Sequence, residues 1–572
     1  MEPYGGELID LIAGADRVDA LKQESRDWPS WQLSPRQLGD VELLLTGGFS
    51  PLTGFMGRRD YDSVLERMQL ADGPFWPLPI TLDVSDALGR KLRPDDKLVL
   101  RDLFGVAVAV LRVTDVWQPG LTREAEQVYG TDRPDHPGVA LLREGTHSWY
   151  VGGPLEGLER PEHYDFAELR PTPAEVRRRI TQLGWTRTVA FETRHPMHRA
   201  QQELTLRVIR DLDAGLLIQP TVGQTKTGDI EHFARVRCIQ AVVGQYPPER
   251  VLLALLPFTS RLAGPREAAL LAIAHRNHGC SHFLVGRDHA GAGRDEKGQP
   301  FYSPDAARAL LEAHAAELGI EPVASREMVY LPEQRRYLPR DEVPAGAQAL
   351  SLAPIELAEK LERGETIPAH FSHPEVIAEL RKARPPRAQQ GFTVFCSGLP
   401  SAGKSTVAQV LMIRMLEIGG RPVTLLDGDI VRTHLSSELG FSRHDRDLNI
   451  TRIGFVASEI TKNGGVAICA PIAPYDRVRK QVRSMIAPKG GFVLVHVATP
   501  LATCEQRDRK GLYAKARAGL IDEFTGISDP YEPPQDAEVV VDTASQSPAA
   551  CAETILTYLR QRGYLPAGAA AD

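Results

Sequence analysis

The sequence predicts a multidomain α/β protein with a β-rich front region, and three observations carry that reading. Residues 1 to about 165 hold short apolar runs, such as Lys97–Arg101 and Val106–Val113, broken by Gly, Pro and Asp turns. From about Thr172 the pattern becomes an alternation of helical and strand-like segments, the signature of a parallel sheet. In the last third, the segment Gly398-Leu-Pro-Ser-Ala-Gly403-Lys404-Ser405 stands between an apolar run and a helix-compatible stretch. At 572 residues the chain exceeds a single hydrophobic core and implies roughly three or four domains.

The α/β elements follow in order. Pro173 to Leu183 suits a helix and Thr188 to Phe191 a strand; Val251 to Leu256 and His282 to Val285 read as further strands. Arg381 to Gln390, basic and proline-containing, reads as a linker. Phe392 to Cys396 then predicts a strand and Thr406 to Leu416 a helix, with the glycine-rich segment as the turn between them. Backbone N–H groups of such a turn and of the helix start cradle a polyphosphate. Gly398, Leu399, Pro400, Ser401, Ala402, Gly403, Lys404, Ser405 and Thr406 are therefore expected to bind ATP, with Lys404 on the outer phosphates and the Ser405 hydroxyl on Mg²⁺. A second strand, Pro422 to Leu426, ends in Asp427-Gly-Asp429. A carboxylate there lies where parallel sheets bind ligands, so Asp429 is expected to orient Mg²⁺ or to accept a proton from a substrate hydroxyl.

Composition excludes several classes. With 25% charged residues and a formal net charge of −7, nothing draws the chain toward nucleic acid or an anionic membrane. Six scattered cysteines form no CxxC pair, which fits a reducing cytoplasm rather than a zinc site or disulfide framework. His275, His278 and His282 are spaced too loosely for a metal cluster.

The last third carries an ordered set of motifs. They are Arg432, Leu439-Gly-Phe441, Asp445-Arg446-Asp-Leu-Asn449, Ala473-Pro474-Tyr475, Arg507-Asp508-Arg-Lys510-Gly511, and Phe524-Thr-Gly526-Ile527 with Tyr531-Glu532. Together these resemble adenosine 5′-phosphosulfate (APS) kinase over nearly all of residues 390–565. The resemblance implies a P-loop kinase domain over 386–572 that moves the ATP γ-phosphoryl group to the 3′-hydroxyl of APS. It implies Asp429 as the base or hydroxyl-orienting group, and Arg432, Arg446 and Asn449 on the phosphosulfate, a task suited to forked guanidinium donors. Phe441 and Phe524 would sandwich the substrate adenine, Arg507 would join the ATP site, and Lys510 would act from a mobile lid. Ala473 stands where many relatives have Ser, so a phosphoenzyme at that position is excluded.

The first two-thirds resemble ATP sulfurylase. The match rests on Arg36-Gln-Leu-Gly-Asp40, Gly47-Gly-Phe-Ser-Pro51-Leu-Thr-Gly-Phe-Met56, Asp135-His136-Pro137-Gly138, Val222-Gly-Gln-Thr-Lys226-Thr-Gly-Asp229, Ala263-Gly-Pro-Arg266-Glu267-Ala268 and Gly286-Arg287-Asp288-His289-Ala290-Gly291. It implies a β-rich PUA-like domain over 1–168, a Rossmann-like nucleotidyltransferase domain over 169–330, and a small third domain with a linker over 331–385.

The family's central element reads Gln-Thr-Arg-Asn-Pro-x-His-Arg-x-His, its Gln and Arg holding sulfate, its Asn and two His holding the ATP phosphates. Here it reads Glu192-Thr193-Arg194-His195-Pro196-Met197-His198-Arg199-Ala200-Gln201. Arg194 and His198 persist, as do Arg287, His289 and Ala290, but positions 192, 195 and 201 are replaced. Pro196 suits a first helical turn, which would put 198 and 201 on one face. A carboxylate about 4 Å from one anionic charge, at an effective dielectric near 20, costs about 4 kcal/mol. Pairing of Glu192 with His195 or Arg194, or its protonation, would soften that penalty. Removing one oriented donor to transition-state charge typically costs about 10²–10³ in rate.

The expectation is therefore an APS kinase using MgATP, with a front region of little or no sulfate adenylyltransferase activity. A fully bifunctional enzyme that also makes APS, and a front region acting as a regulatory or oligomerisation module, are the alternatives. A homo-oligomer, dimer or hexamer, is expected, since sulfurylase relatives are usually oligomeric.

Overall fold

The protein is described by a computed structural model, in which residues 1–223 and 230–566 are described. The motif stretch from Gln224 to Asp229, and the Ala/Gly tail from Ala567, lie outside the described residues. The chain forms two compact units, one of residues Met1–Ser351 with Pro368–Glu379, the other of Leu352–Ile367 with Leu380–Asp572.

The first unit begins with a seven-stranded sheet built around the long strand Trp149–Gly157, which pairs antiparallel with Ala107–Arg112, Gly54–Phe55, Leu82–Val84 and Asp115–Trp117. Its short apolar runs, buried through their middles, pack Leu98, Leu100, Val108, Leu111, Tyr150 and Val151 into one core. A five-stranded, all-parallel sheet follows, in the order Val251–Leu253, Gly215–Pro220, Thr188–Thr193, His282–Val285, Glu321–Ala324. Its central strands are buried along their length, so they read as continuous apolar runs rather than alternations. The helix Pro173–Gln182 starts where the sequence indicates. The Thr172 side chain accepts from the Glu175 N–H, the Glu175 carboxylate accepts from the Thr172 N–H, and proline occupies the first turn. The antiparallel pair Met328–Leu331 and Arg336–Pro339 completes this unit.

The second unit is a five-stranded parallel sheet in the order Val423–Asp427, Val466–Ala470, Phe392–Ser397, Gly491–Val497, Val539–Val541. The strand Phe392–Ser397 lies near the centre and is buried throughout. The helix that follows spans Lys404–Ile418, longer at both ends than the expected Thr406 to Leu416. It begins at Gly403, whose φ of +92° only glycine adopts without strain. The stretch read as a linker is ordered. Arg381–Ala383 close the helix Pro374–Ala383, the Arg387 N–H bonds the Glu362 carbonyl at 2.7 Å, and its guanidinium reaches the Glu362 carboxylate at 2.9 Å. Arg387 thus has an acidic partner on the earlier helix Pro354–Arg363, which composition alone does not reveal.

Candidate active sites

The glycine-rich loop leaves the buried central strand and enters the helix Lys404–Ile418, so its amides and the positive end of the helix dipole gather at the carboxyl edge of the sheet. Gly398 is obligatory: a Cβ there would meet the Val497 carbonyl at 2.6 Å. Lys404 is buried, and its ammonium donates to the Gly398 carbonyl at 2.9 Å and the Leu399 carbonyl at 2.7 Å. Burial lowers its pKa to about 8, because a desolvated ammonium is costly.

The Ser405 hydroxyl donates to Asp427 Oδ2 at 2.6 Å, while Asp427 Oδ1 accepts the Asp429 N–H at 3.0 Å. A hydroxyl beside a carboxylate at a loop edge suits a divalent cation that keeps most of its waters. Asp427 is thus a functional candidate that the sequence reading passed over for Asp429. Asp429 instead lies exposed, in an ion pair with Lys510, so the structure joins the expected base to the expected lid residue.

Behind them, Arg446 is buried in the helix Arg443–Lys462. Its Nη1 donates to Thr525 Oγ1 at 2.7 Å, and Nη2 lies 3.0 Å from Asp529 Oδ2. The Tyr475 hydroxyl donates to the same Asp529 oxygen at 2.5 Å. Arg446 Nε and the buried Asn449 Oδ1 have no hydrogen-bond partner among the described residues. Buried polar atoms left without partners call for an explanation, and a bound polar ligand is one that fits. Arg432 donates to the Leu439 and Gly440 carbonyls at 3.2 and 2.9 Å, and its guanidinium sits 4.5 Å over the Phe441 ring. That ring is 72% exposed, whereas Phe524 is half-buried and packs edge-on against Tyr513, centroids 5.0 Å apart. Among the described residues the two phenylalanines make no ring contact with each other. Arg507, last residue of the helix Leu501–Arg507, forks onto Thr543, donating to its hydroxyl and its carbonyl at 2.7 Å each.

In the first unit, Glu192 is the penultimate residue of the strand Thr188–Thr193, beside Gln219 in register. The carboxylate is buried, accepts from Thr221 Oγ1 at 3.2 Å and lies 3.3 Å from His289 Nε2. His289 Nδ1 accepts the Gly286 N–H at 3.4 Å, which leaves the ring proton on Nε2, a buried nitrogen close to Glu192 but without a hydrogen-bond partner among the described residues. Burial pushes Glu192 up to about 7 and His289 down to about 4, so near neutrality His289 is uncharged while Glu192 is divided between its protonated and ionised forms. Arg194 donates to Ser260 Oγ at 3.1 Å and the Gly291 carbonyl at 3.5 Å, and Ser260 donates to Glu267 at 2.5 Å. The fully buried Arg235 staples this edge, donating to the Arg194 and Thr221 carbonyls at 2.8 and 2.7 Å.

The rest of the central element departs from its expected geometry. His198 precedes the helix Arg199–Asp211 as its cap, so 196–198 are not a helical turn. The Gln201 side chain turns back to accept the His198 N–H at 3.0 Å, instead of facing outward beside it. Proline suits a first turn but here precedes one, and a glutamine at the third helical position finds an unpaired amide close by. His198 Nδ1 bonds Ser372 Oγ at 2.9 Å, its ring packs on Phe371, and burial lowers it to about 4. His195 and Arg287 are exposed, and Ala290 is buried with a φ of +57°. No group of His, Cys, Asp or Glu among the described residues forms a metal cluster, and no described helix is long and apolar enough to cross a membrane.

Three family models match in succession: a PUA-like domain at residues 1–160, ATP-sulfurylase at 167–383 and adenylylsulphate kinase at 390–542. The chain is 49% identical over 567 residues to a sulfate adenylyltransferase of Emericella nidulans, covering 98% of this chain and 99% of that one. It is 47% identical over 567 residues to one of Neurospora crassa, with the same coverage. Among solved structures it is similar to a hexameric APS kinase from Thiobacillus denitrificans, with a TM-score of 0.81, 41% identity and 99% of each chain covered.

Proposed function

This chain belongs to the family in which an ATP sulfurylase domain precedes an APS kinase domain, and we propose that it works as an APS kinase whose front site makes little or no APS. The observation that carries the kinase reading is the convergence of Lys404, Ser405 and Asp427 at one helix start. Lys404 would leave the loop carbonyls for the outer phosphates of ATP. Asp429 would take the proton of the APS 3′-hydroxyl as its oxygen bonds the γ-phosphorus and the bond to ADP breaks. Lys510, already on Asp429, would close over the phosphates and help exclude water. Arg446 Nε and Asn449 would meet the phosphosulfate, and Arg432 with Phe441 and Phe524 the rest of APS. Ser405 and Asp427 would hold Mg²⁺, which supplies charge neutralisation on the β- and γ-phosphates.

The front-site reading rests on Glu192, a buried carboxylate where the family places a neutral amide for sulfate. The solved neighbour of matching length is a hexameric APS kinase, which supports this reading and a homo-oligomeric state. The full bifunctional reading is favoured by the fungal relatives' name, sulfate adenylyltransferase. A regulatory or oligomerisation role for the front unit is compatible with either. Six buried thiols and no disulfide fit a cytoplasmic site of action. The test is sulfate-dependent pyrophosphate release from MgATP by the full-length protein, beside APS-dependent ADP formation. ADP formation without pyrophosphate is the expected result. Pyrophosphate at a comparable rate would make the enzyme bifunctional, and neither product would remove the kinase reading.

A further inference from the structure

Two threonines outside the phosphate loop converge on one of its carbonyls. Thr499 follows the strand Gly491–Val497, and Thr543 follows the strand Val539–Val541. Both are buried. Thr543 Oγ1 donates to the Ala402 carbonyl at 2.8 Å and Thr499 Oγ1 donates to the same oxygen at 3.0 Å. The two hydroxyl oxygens lie 2.9 Å apart, and the Thr543 N–H points to Thr499 Oγ1 at 3.3 Å. Each hydroxyl has one proton to give, and the carbonyl has two lone pairs to accept them. Arg507 occupies the remaining capacity of Thr543, through hydroxyl and carbonyl together.

The clamped carbonyl belongs to the peptide between Ala402 and Gly403. In a trans peptide the N–H points opposite to the C=O. With the Ala402 oxygen held against the threonines, the Gly403 N–H faces away from them, at the start of the helix that receives phosphate. The contact is also tight: a Cβ on Gly403 would lie 3.1 Å from both Thr543 Cγ2 and Oγ1.

We propose that Thr499 and Thr543 are positioning residues for nucleotide phosphates. They set the Ala402–Gly403 peptide in its binding orientation, and Thr543 couples that orientation to Arg507. This rests on the kinase reading above. The arrangement ties three separate elements, the loop, the start of the helix Leu501–Arg507 and the end of the edge strand, to a single peptide plane. APS, by contrast, is assigned to Arg446 and Asn449, which take no part in the clamp.

The experiment compares full-length wild type, Thr543→Val, Thr543→Ser and Thr499→Val by ADP titration calorimetry and by steady-state kinetics with each substrate varied. Thr543→Val is expected to weaken ADP binding and raise KM for ATP about ten- to hundred-fold, the scale of leaving buried hydrogen-bonding groups without partners. KM for APS should stay within about twofold of wild type. Thr543→Ser, which keeps the hydroxyl, should restore ATP binding, and Thr499→Val should show a smaller effect of the same kind. Unchanged KM for ATP in Thr543→Val would overturn the proposal. Equal shifts in both KM values, with a lowered melting temperature and no rescue by serine, would also overturn it by showing a packing role only. Wild-type protein that binds no ADP would remove the kinase reading itself, and this proposal with it.

Discussion

Ser405 donates its hydroxyl to Asp427, at 2.6 Å, while the neighbouring Asp429 is engaged by Lys510. Two carboxylates separated by one glycine therefore have different surroundings, and different roles follow. Asp427→Asn should lower kcat about 10²–10³-fold and raise the Mg²⁺ concentration for half-maximal rate, since the cation would lose a charged partner. A Mg²⁺ titration of APS-dependent ADP formation measures it. A variant with an unchanged Mg²⁺ requirement would argue that the cation is held elsewhere.

Asp529 receives both Arg446 and Tyr475. Its removal frees the guanidinium that is assigned to the phosphosulfate. Asp529→Asn should raise KM for APS about tenfold, with KM for ATP little changed, because the loss of a charge-assisted bond to a positioning group is on that scale. Initial rates with each substrate varied separate this from a general loss of fold.

Lys404 yields a pH prediction. Its pKa in the free loop is lowered to about 8, and anionic phosphates favour the charged ammonium. Nucleotide binding therefore takes up a proton once the pH exceeds about 8. ATP affinity should be flat below that point and fall above it, by up to about tenfold per pH unit. The same depressed pKa makes the unfolded chain the better proton binder between about 8 and the ordinary lysine value, so this group's contribution to stability rises with pH there. Calorimetry at pH 7 and pH 9, in buffers of different ionisation heat, reads the proton directly.

Glu192 sets the test of the front site. Glu192→Gln removes a buried carboxylate pushed up to about 7 and leaves an amide whose oxygen keeps the Thr221 hydrogen bond. Alone it should strengthen sulfate binding at pH 8 by about tenfold or more, given the cost of a carboxylate near an anion. Together with His195→Asn and Gln201→His it should raise sulfate-dependent pyrophosphate release above the wild-type rate. A triple variant as inactive as wild type would place the defect elsewhere in the pocket.

Much of this was legible in the residue order. The glycine-rich loop, the strand before it and the helix after it are local: glycine permits the turn, apolar runs bury on both faces, and the helix begins where Gly403 can hold a positive φ. The replacement of three positions in the Glu192–Gln201 element was equally plain, because chemical type is written in the chain. Partnership was not. Pro196 and the spacing of 198 and 201 suggested a shared helical face, whereas the helix begins at Arg199 and Gln201 folds back as its cap.

The sequence alone determined the class of each region, the phosphate loop and the identity of the residues available for chemistry, since these depend on periodicity, turn geometry and residue type within a few positions. Only the tertiary structure decided that Asp427 meets Ser405, that Asp529 holds Arg446, that Glu192 faces His289, and that Thr499 and Thr543 share the Ala402 carbonyl. Those pairings join residues 22 to 141 positions apart. They are set by strand order and by the burial that makes an unpaired polar group costly, and no local pattern encodes either.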